Sequence, residues 1–83
     1  MYKIVLAEDH VLVREGIKKI IEALPGLHVV GEVGDGLQLL ELLKGLAVDM
    51  VILDISMPGV SGLEALEQMK RIEPNLPVIL FTG

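Results

Sequence analysis

The sequence predicts an α/β fold built on a parallel sheet. Short apolar runs alternate with longer stretches of helical periodicity, four of the first and three of the second. The clearest run, Asp49 to Leu53, shows no alternation of polar and apolar residues, which suits a strand covered on both faces. Three consecutive βα units of this kind give a parallel sheet with right-handed crossovers.

Lys3 to Ala7 is a short apolar run ended by two acids, and reads as a buried strand. A helix follows over about Leu12 to Leu24, where Val13, Ile17, Ile20, Ile21 and Leu24 recur at steps of three and four with Arg14, Glu15, Lys18, Lys19 and Glu22 between them. Pro25-Gly26 stops it. His28 to Val33 holds the second strand. Gly34-Asp35-Gly36 is a turn in which Asp35 is placed to cap the next helix.

That second helix, Leu37 to about Leu46, carries leucine at 37, 39, 40, 42, 43 and 46, a stripe wider than one buried face requires. After the Asp49–Leu53 strand, Ser61-Gly62-Leu63-Glu64 fits a capping box opening a third helix. Leu63, Leu66, Met69 and Ile72 are its expected inner face, and Pro74 ends it. Pro77 to Thr82 is the fourth strand.

Composition narrows the function. The 83 residues allow one domain at most. The hydrophobic fraction is 52%, almost all aliphatic, with Tyr2 and Phe81 the only aromatics, which is the palette of an α/β core rather than of a disordered segment. Cysteine is absent, which excludes disulfides and thiolate metal sites. No apolar run approaches the ~18 residues of a membrane span. The apolar run after Met1 is too short for a signal peptide and ends at Glu8 and Asp9, so a cytoplasmic protein with no membrane contact is expected. A net charge of −5 without a basic cluster argues against direct contact with nucleic acid.

In a parallel sheet the strand C-termini emerge on one edge, where ligands bind in such folds. Glu8 and Asp9 follow the first strand, Asp54 the third, and Thr82 ends the fourth. Were strands one and three neighbours, ~4.8 Å apart, three carboxylates would converge. Converging carboxylates raise the cost of each other's charge, and a hard dication relieves it. Mg2+ with oxygen ligands suits phosphoryl transfer, with Asp54 as nucleophile and Thr82 donating its hydroxyl to a phosphate oxygen. Each part also has a plain structural reading. Glu8-Asp9 alone fits a helix-capping loop, and Asp54 before Ile-Ser-Met-Pro-Gly fits the start of a turn, with Pro58-Gly59 as turn residues. His10 and His28 read as solvent-facing residues rather than ligands. The joint placement of the acids at strand ends is what favours a site.

Four segments carry a family resemblance: Ile-Val-Leu-Ala-Glu-Asp-His at 4–10, Val-Val-Gly-Glu-Val-Gly-Asp-Gly at 29–36, Asp-Met-Val-Ile-Leu-Asp-Ile-Ser-Met-Pro-Gly-Val-Ser-Gly at 49–62 and Pro-Val-Ile-Leu-Phe-Thr-Gly at 77–83. Together they resemble the receiver domain of bacterial two-component response regulators. Asp9-His10 with Val13-Arg14-Glu15-Gly16 resembles the NarL/FixJ (LuxR-type) branch. The resemblance implies a flavodoxin-like parallel sheet of order 2-1-3-4 with three helices, so that 1–83 form a partial receiver domain. It implies phosphorylation of Asp54 by a sensor histidine kinase with Mg2+. Asp9 is then a direct metal ligand, Glu8 a ligand through water, the Ser56 backbone carbonyl the third protein ligand, and Thr82 the hydroxyl that meets the phosphoryl group. Met57-Pro58 and Gly62 would shape the surrounding loop.

The family pattern continues past the fourth strand with a further helix, a strand, a phosphate-binding lysine and a last helix. None of Lys3, Lys18, Lys19, Lys44 or Lys70 falls at the corresponding edge. A truncated chain is therefore expected, one that completes its core as a homo-oligomer or swapped dimer, and a signalling-inactive fragment is the alternative function. An enzyme is not expected. An aspartyl-phosphate hydrolase would carry a second acid where Ser56 stands, and the acidic loop after strand one would repel a flavin phosphate.

Overall fold

The computed structural model describes residues 1–57, 59 and 62–82. Along the chain these form β1 (Tyr2–Ala7), α1 (Val11–Glu22), β2 (Leu27–Val33), α2 (Gly36–Gly45), β3 (Met50–Asp54), α3 (Gly62–Ile72) and β4 (Val78–Phe81). The strands make one sheet of order β2-β1-β3-β4. Every pairing in it is parallel. This is the receiver-type flavodoxin-like arrangement with three helices. The expected Ser61 cap and the Pro58 turn lie outside the described residues, as does Gly83.

Alternation along the strands divides the core in two. Val5, Ala7, Val51 and Leu53 join Leu39 of α2 and Ala65 and Met69 of α3 in the main cluster. Ile4 and Leu6 point to the other face, where α1 lies over β1 and β2 and buries Ile21. The width of the leucine stripe on α2 follows from its two neighbours. Leu39 is fully buried, while Leu40, Leu42, Leu43 and Leu46 pack partly against the cluster, between the sheet and α3. Leu37 alone turns outward. Gly31 on β2 makes room for this helix, since a Cβ there would stand 2.6 Å from Leu42 Cδ2.

Two expected inner faces shift. On α1, Val13, Ile20 and Leu24 are exposed although they share the apolar row with Ile17. The helix packs mainly on β1 and β2, so only the side turned to those strands is covered. It also begins one residue earlier than expected and ends at Glu22, with Ala23 as its C-cap and Leu24 in the following turn. On α3 the buried row is Gly62, Ala65 and Met69, and Leu63 and Ile72 are exposed. The buried row starts at Gly62, where a Cβ would collide with the Asp54 carbonyl and Ile55 Cα. β3 runs one residue further than expected, so Asp54 ends the strand rather than following it.

Asp49, placed at the start of β3 by its sequence, sits just before the strand and grips β1 twice. Its amide donates to the Lys3 carbonyl at 2.8 Å and its Oδ2 accepts from the Lys3 amide at 2.7 Å. Asp35 caps α2 as expected, its Oδ1 accepting from the Gln38 amide at 2.8 Å. Gln38 reaches back so that its Oε1 accepts from the Gly34 amide at 3.1 Å. Among the described residues no helix is long and apolar enough to cross a membrane.

Candidate functional site

β1 and β3 are neighbours, with Ala7 opposite Leu53 in register. Their ends therefore bring the first acids and Asp54 to one edge. The Glu8 amide continues the ladder by donating to the Val33 carbonyl at 3.0 Å, which holds Glu8 in line with β1. At the end of β3 the Ile55 amide donates to the Phe81 carbonyl at 3.0 Å, which fixes the strand exit beneath Asp54. Gly62 closes the site from below. A Cβ there would collide with the Asp54 carbonyl and lie 2.5 Å from Ile55 Cα.

Glu8 and Asp54 are fully buried polar side chains at the head of an apolar sheet. Glu8 Oε1 accepts from the His10 amide at 2.8 Å and lies 2.8 Å from His10 Nδ1. Glu8 Oε2 is buried and accepts no hydrogen bond among the described residues. Asp54 Oδ1 accepts from both the Ser56 amide at 2.9 Å and the Ser56 hydroxyl at 2.8 Å, which sets the rotation of the carboxylate. Asp9, part-exposed, places Oδ1 3.4 Å from His10 Nδ1. Glu8, Asp9, His10 and Asp54 each offer a donor atom, and these atoms lie within 4.8 Å of one another.

The electrostatics follow from that crowding. Burial pushes the Glu8 carboxyl above its ordinary range, and the neighbouring Asp54 carboxyl pushes it further, against the pull of the His10 amide and ring. The hydrogen bond to Glu8 raises the His10 imidazole, and the charge of Asp9 adds to it. The nearest basic side chains are engaged elsewhere. Arg14 donates Nη1 to the Glu8 carbonyl at 3.1 Å rather than to a carboxylate, and its Nε lies 3.6 Å from Glu32 Oε1. Lys18 pairs with Glu32 at 3.1 Å. Three carboxylates, with Glu8 Oε2 and Asp9 Oδ1 buried and accepting no hydrogen bond among the described residues, fit a dication with oxygen ligands.

Sequence reasoning named Glu8, Asp9 and Asp54, and the structure brings them together. Thr82 follows β4 directly on the same edge, beyond Phe81, the register partner of Asp54, and its side chain is exposed. At Ser56 the structure shows the amide and hydroxyl on Asp54, a role the sequence reading missed; a hydroxyl residue two positions after the strand-ending acid was the available signal. His10 was read as a solvent-facing residue. Its side chain is 60% exposed, yet its Nδ1 belongs to the cluster. The local signal was its position two residues after Glu8, which lets one carboxylate oxygen meet both its amide and its ring.

Comparison with known proteins agrees with this geometry. Residues 4–83 match the family model described as the response regulator receiver domain. The response regulator UvrY of Escherichia coli O6:H1 is 40% identical over 82 residues, a match covering 99% of this chain and 38% of that protein. The nitrate/nitrite response regulator protein NarP of Escherichia coli is 35% identical over 98% of this chain and 38% of its own length. The chain thus spans a little over a third of the curated relatives it matches. Among solved structures, a LuxR-family two-component response regulator from Aurantimonas superposes with a TM-score of 0.91 at 34% identity, over 96% of this chain and 57% of that one. The non-phosphorylated receiver domain of the stress response regulator RcsB from Escherichia coli gives 0.90 at 34% identity, over 98% of this chain and 64% of that one. With the sheet order and the family match in agreement, and with similarity to a LuxR-family two-component response regulator among the solved structures, the chain belongs to the response regulator receiver domain family.

Proposed function

We propose that residues 1–83 form the first part of a receiver domain whose Asp54 accepts a phosphoryl group from a sensor histidine kinase. The observation that carries this reading is the burial of Asp54 at the end of β3, beside Glu8, whose Oε2 accepts no hydrogen bond among the described residues, and within reach of Asp9. An Asp54 carboxylate oxygen forms the new O–P bond as the P–N bond of the donor phosphohistidine breaks, and the imidazole leaves with the electron pair. The resident ion of this reading is Mg2+, which Asp9, Asp54 and the Ser56 carbonyl would hold, with Glu8 reaching it through water. When bound it supplies the positive charge that phosphoryl oxygens require.

The chain's own residues do the positioning. Ser56 holds one oxygen of Asp54 through its amide and hydroxyl. Glu8 lies beside Asp54 as an acid reaching the ion through water, and Thr82 stands at the same edge to donate its hydroxyl to a phosphoryl oxygen. The protein so described is a cytoplasmic phospho-acceptor, with the kinase as catalyst. Its parent is a transcription regulator, in keeping with the Salmonella enterica RcsB structure bound to promoter rprA, 34% identical over 99% of this chain and 43% of that one. DNA contact is assigned to parts of such proteins outside this chain.

The test is incubation with acetyl phosphate and Mg2+, followed by intact-mass measurement. A gain of one phosphoryl group in the wild type, lost with a chelator and lost in Asp54→Asn, is expected. An adduct that persists in Asp54→Asn overturns the assignment.

A second reading rests on its own observation. Ile79 lies in register with Ile52 and Leu6 on the α1 face of the sheet and is half exposed. Val13 and Ile20 of α1, and Leu24 in the turn after it, are exposed apolar residues as well. This open apolar face, next to the unpaired edge of β4, supports self-association or element swapping as an activity of the isolated chain.

A further inference from the structure

We propose that His10 is a nitrogen ligand in the acidic site, through Nδ1, so that the site takes a borderline transition dication such as Co2+ or Zn2+ with an imidazole in its coordination sphere. The inference rests on reading the carboxylates as a metal site and goes beyond it in donor set and in metal class.

The geometry comes from two distances around one atom. His10 Nδ1 lies 2.8 Å from Glu8 Oε1 and 3.4 Å from Asp9 Oδ1. Donors bound to one ion at about 2.0–2.1 Å are separated by roughly 2.8–3.4 Å at octahedral or tetrahedral angles. The ring nitrogen and the two carboxylate oxygens are thus already spaced close to an ion's ligand set. A second observation points to a ligand independently: Glu8 Oε2, on a side chain with no exposure, accepts no hydrogen bond from the described residues. An atom so buried calls for a partner, and a cation beside it satisfies Glu8 and the ring together.

The position of His10 on the chain favours this use. It is the N-cap residue of α1, but its side chain makes no capping bond. The ring is therefore oriented by Glu8 and Asp9 and not by the helix. Without an ion Nδ1 donates its proton to Glu8 Oε1; ligation replaces that hydrogen bond, releasing the Nδ1 proton to solvent and leaving the neutral ring's one proton on Nε2. The largely exposed ring can carry that proton toward water without any buried donor being stranded. Chemistry then separates the ions. Imidazole is a good ligand for Co2+ and Zn2+ and a poor one for Mg2+, which prefers oxygen and water. Removing the ring should therefore weaken the first class and spare the second.

Two measurements on the full chain decide it. Proton NMR of the Co2+-loaded protein should show one exchangeable imidazole Nε2–H signal far outside the diamagnetic range, absent in His10→Gln and retained in His28→Gln. Calorimetric titration should show Co2+ affinity falling by roughly tenfold or more in His10→Gln, with Mg2+ affinity changing by less than about threefold. The wild-type spectrum tests the proposal without any variant. A Co2+-loaded wild type with no such signal overturns the inference, as does equal Co2+ affinity in wild type and His10→Gln. Failure of wild type to bind Mg2+ while the Co2+ signal is present supports the inference and overturns the Mg2+ reading of the site. Failure to bind either ion overturns both.

Discussion

Glu8 shows how much a single residue can impose on this fold. It is fully buried, shares one carboxylate oxygen between the amide and ring of His10, and leaves the other without a donor among the described residues. Its carboxyl is raised above the ordinary value of 4.5, chiefly by burial. The folded state therefore keeps the proton to higher pH than the unfolded chain does, and a stability penalty builds as pH climbs from 4.5 through the folded value. His10 is raised above 6.5, so its favourable contribution is present below that value and is lost as pH rises through its folded value. Both groups act in one direction. In chelator the protein should melt at a lower temperature near about pH 8 than near about pH 5.5. Mg2+ should raise the melting temperature more at the higher pH, and Glu8→Gln should flatten the dependence. Melting temperatures that ignore both pH and Mg2+ would count against an electrostatically stressed site. None of this was visible in the letters alone: Glu8 reads as one acid of a pair, and only the ladder bond to Val33 shows that it turns inward.

At the scale of elements, strands and helices were largely legible because apolar periodicity is local. The Asp49–Leu53 run gave away a doubly covered strand, and Gly34-Asp35-Gly36 gave away a cap. Asp35 and Gln38 each satisfy an amide at the start of α2, so Asp35→Ala should cost about 1 kcal/mol in chemical denaturation without disturbing metal binding. A variant as stable as wild type would show that the cap does not matter to the fold. Which residues of a helix are covered was less legible, because that depends on what lies opposite. Val13 and Ile20 have the right spacing on α1 yet stay exposed, and Leu24 falls past its end, whereas Ala65 on α3 is small and completely buried. Periodicity identifies a stripe; the neighbour decides which edge of the stripe is used. The site was legible in its acids, which end apolar runs. It was not legible at His10, whose ring is placed by a contact two residues back that no pattern of hydrophobicity records.

The whole molecule has a radius of gyration of 11.6 Å, close to the value of about 12 Å expected for a compact domain of this length. It is nevertheless covered unequally. α2 and α3 occupy one face of the sheet, while on the other α1 leaves Ile79 of β4 open. A surface of this kind next to a free strand edge favours association. We expect the protein to show a concentration-dependent mass by light scattering, and Ile79→Lys to move it toward the monomer. A monomeric mass throughout the range in the wild type would end the self-association reading.

One consequence follows from the register of β1 against β3. The site draws on residues separated by most of the first two βα units, and it closes only where those two strands lie side by side. Any cation held there would act as a clasp across the middle of the sheet, binding the folded chain and not the open one, and its affinity would add directly to the free energy of docking. Hydrogen exchange at the amides shared by these two central strands should slow on metal addition, while the outer β2 and β4 edges respond less. Loading the signalling site and fastening the sheet would then be the same event.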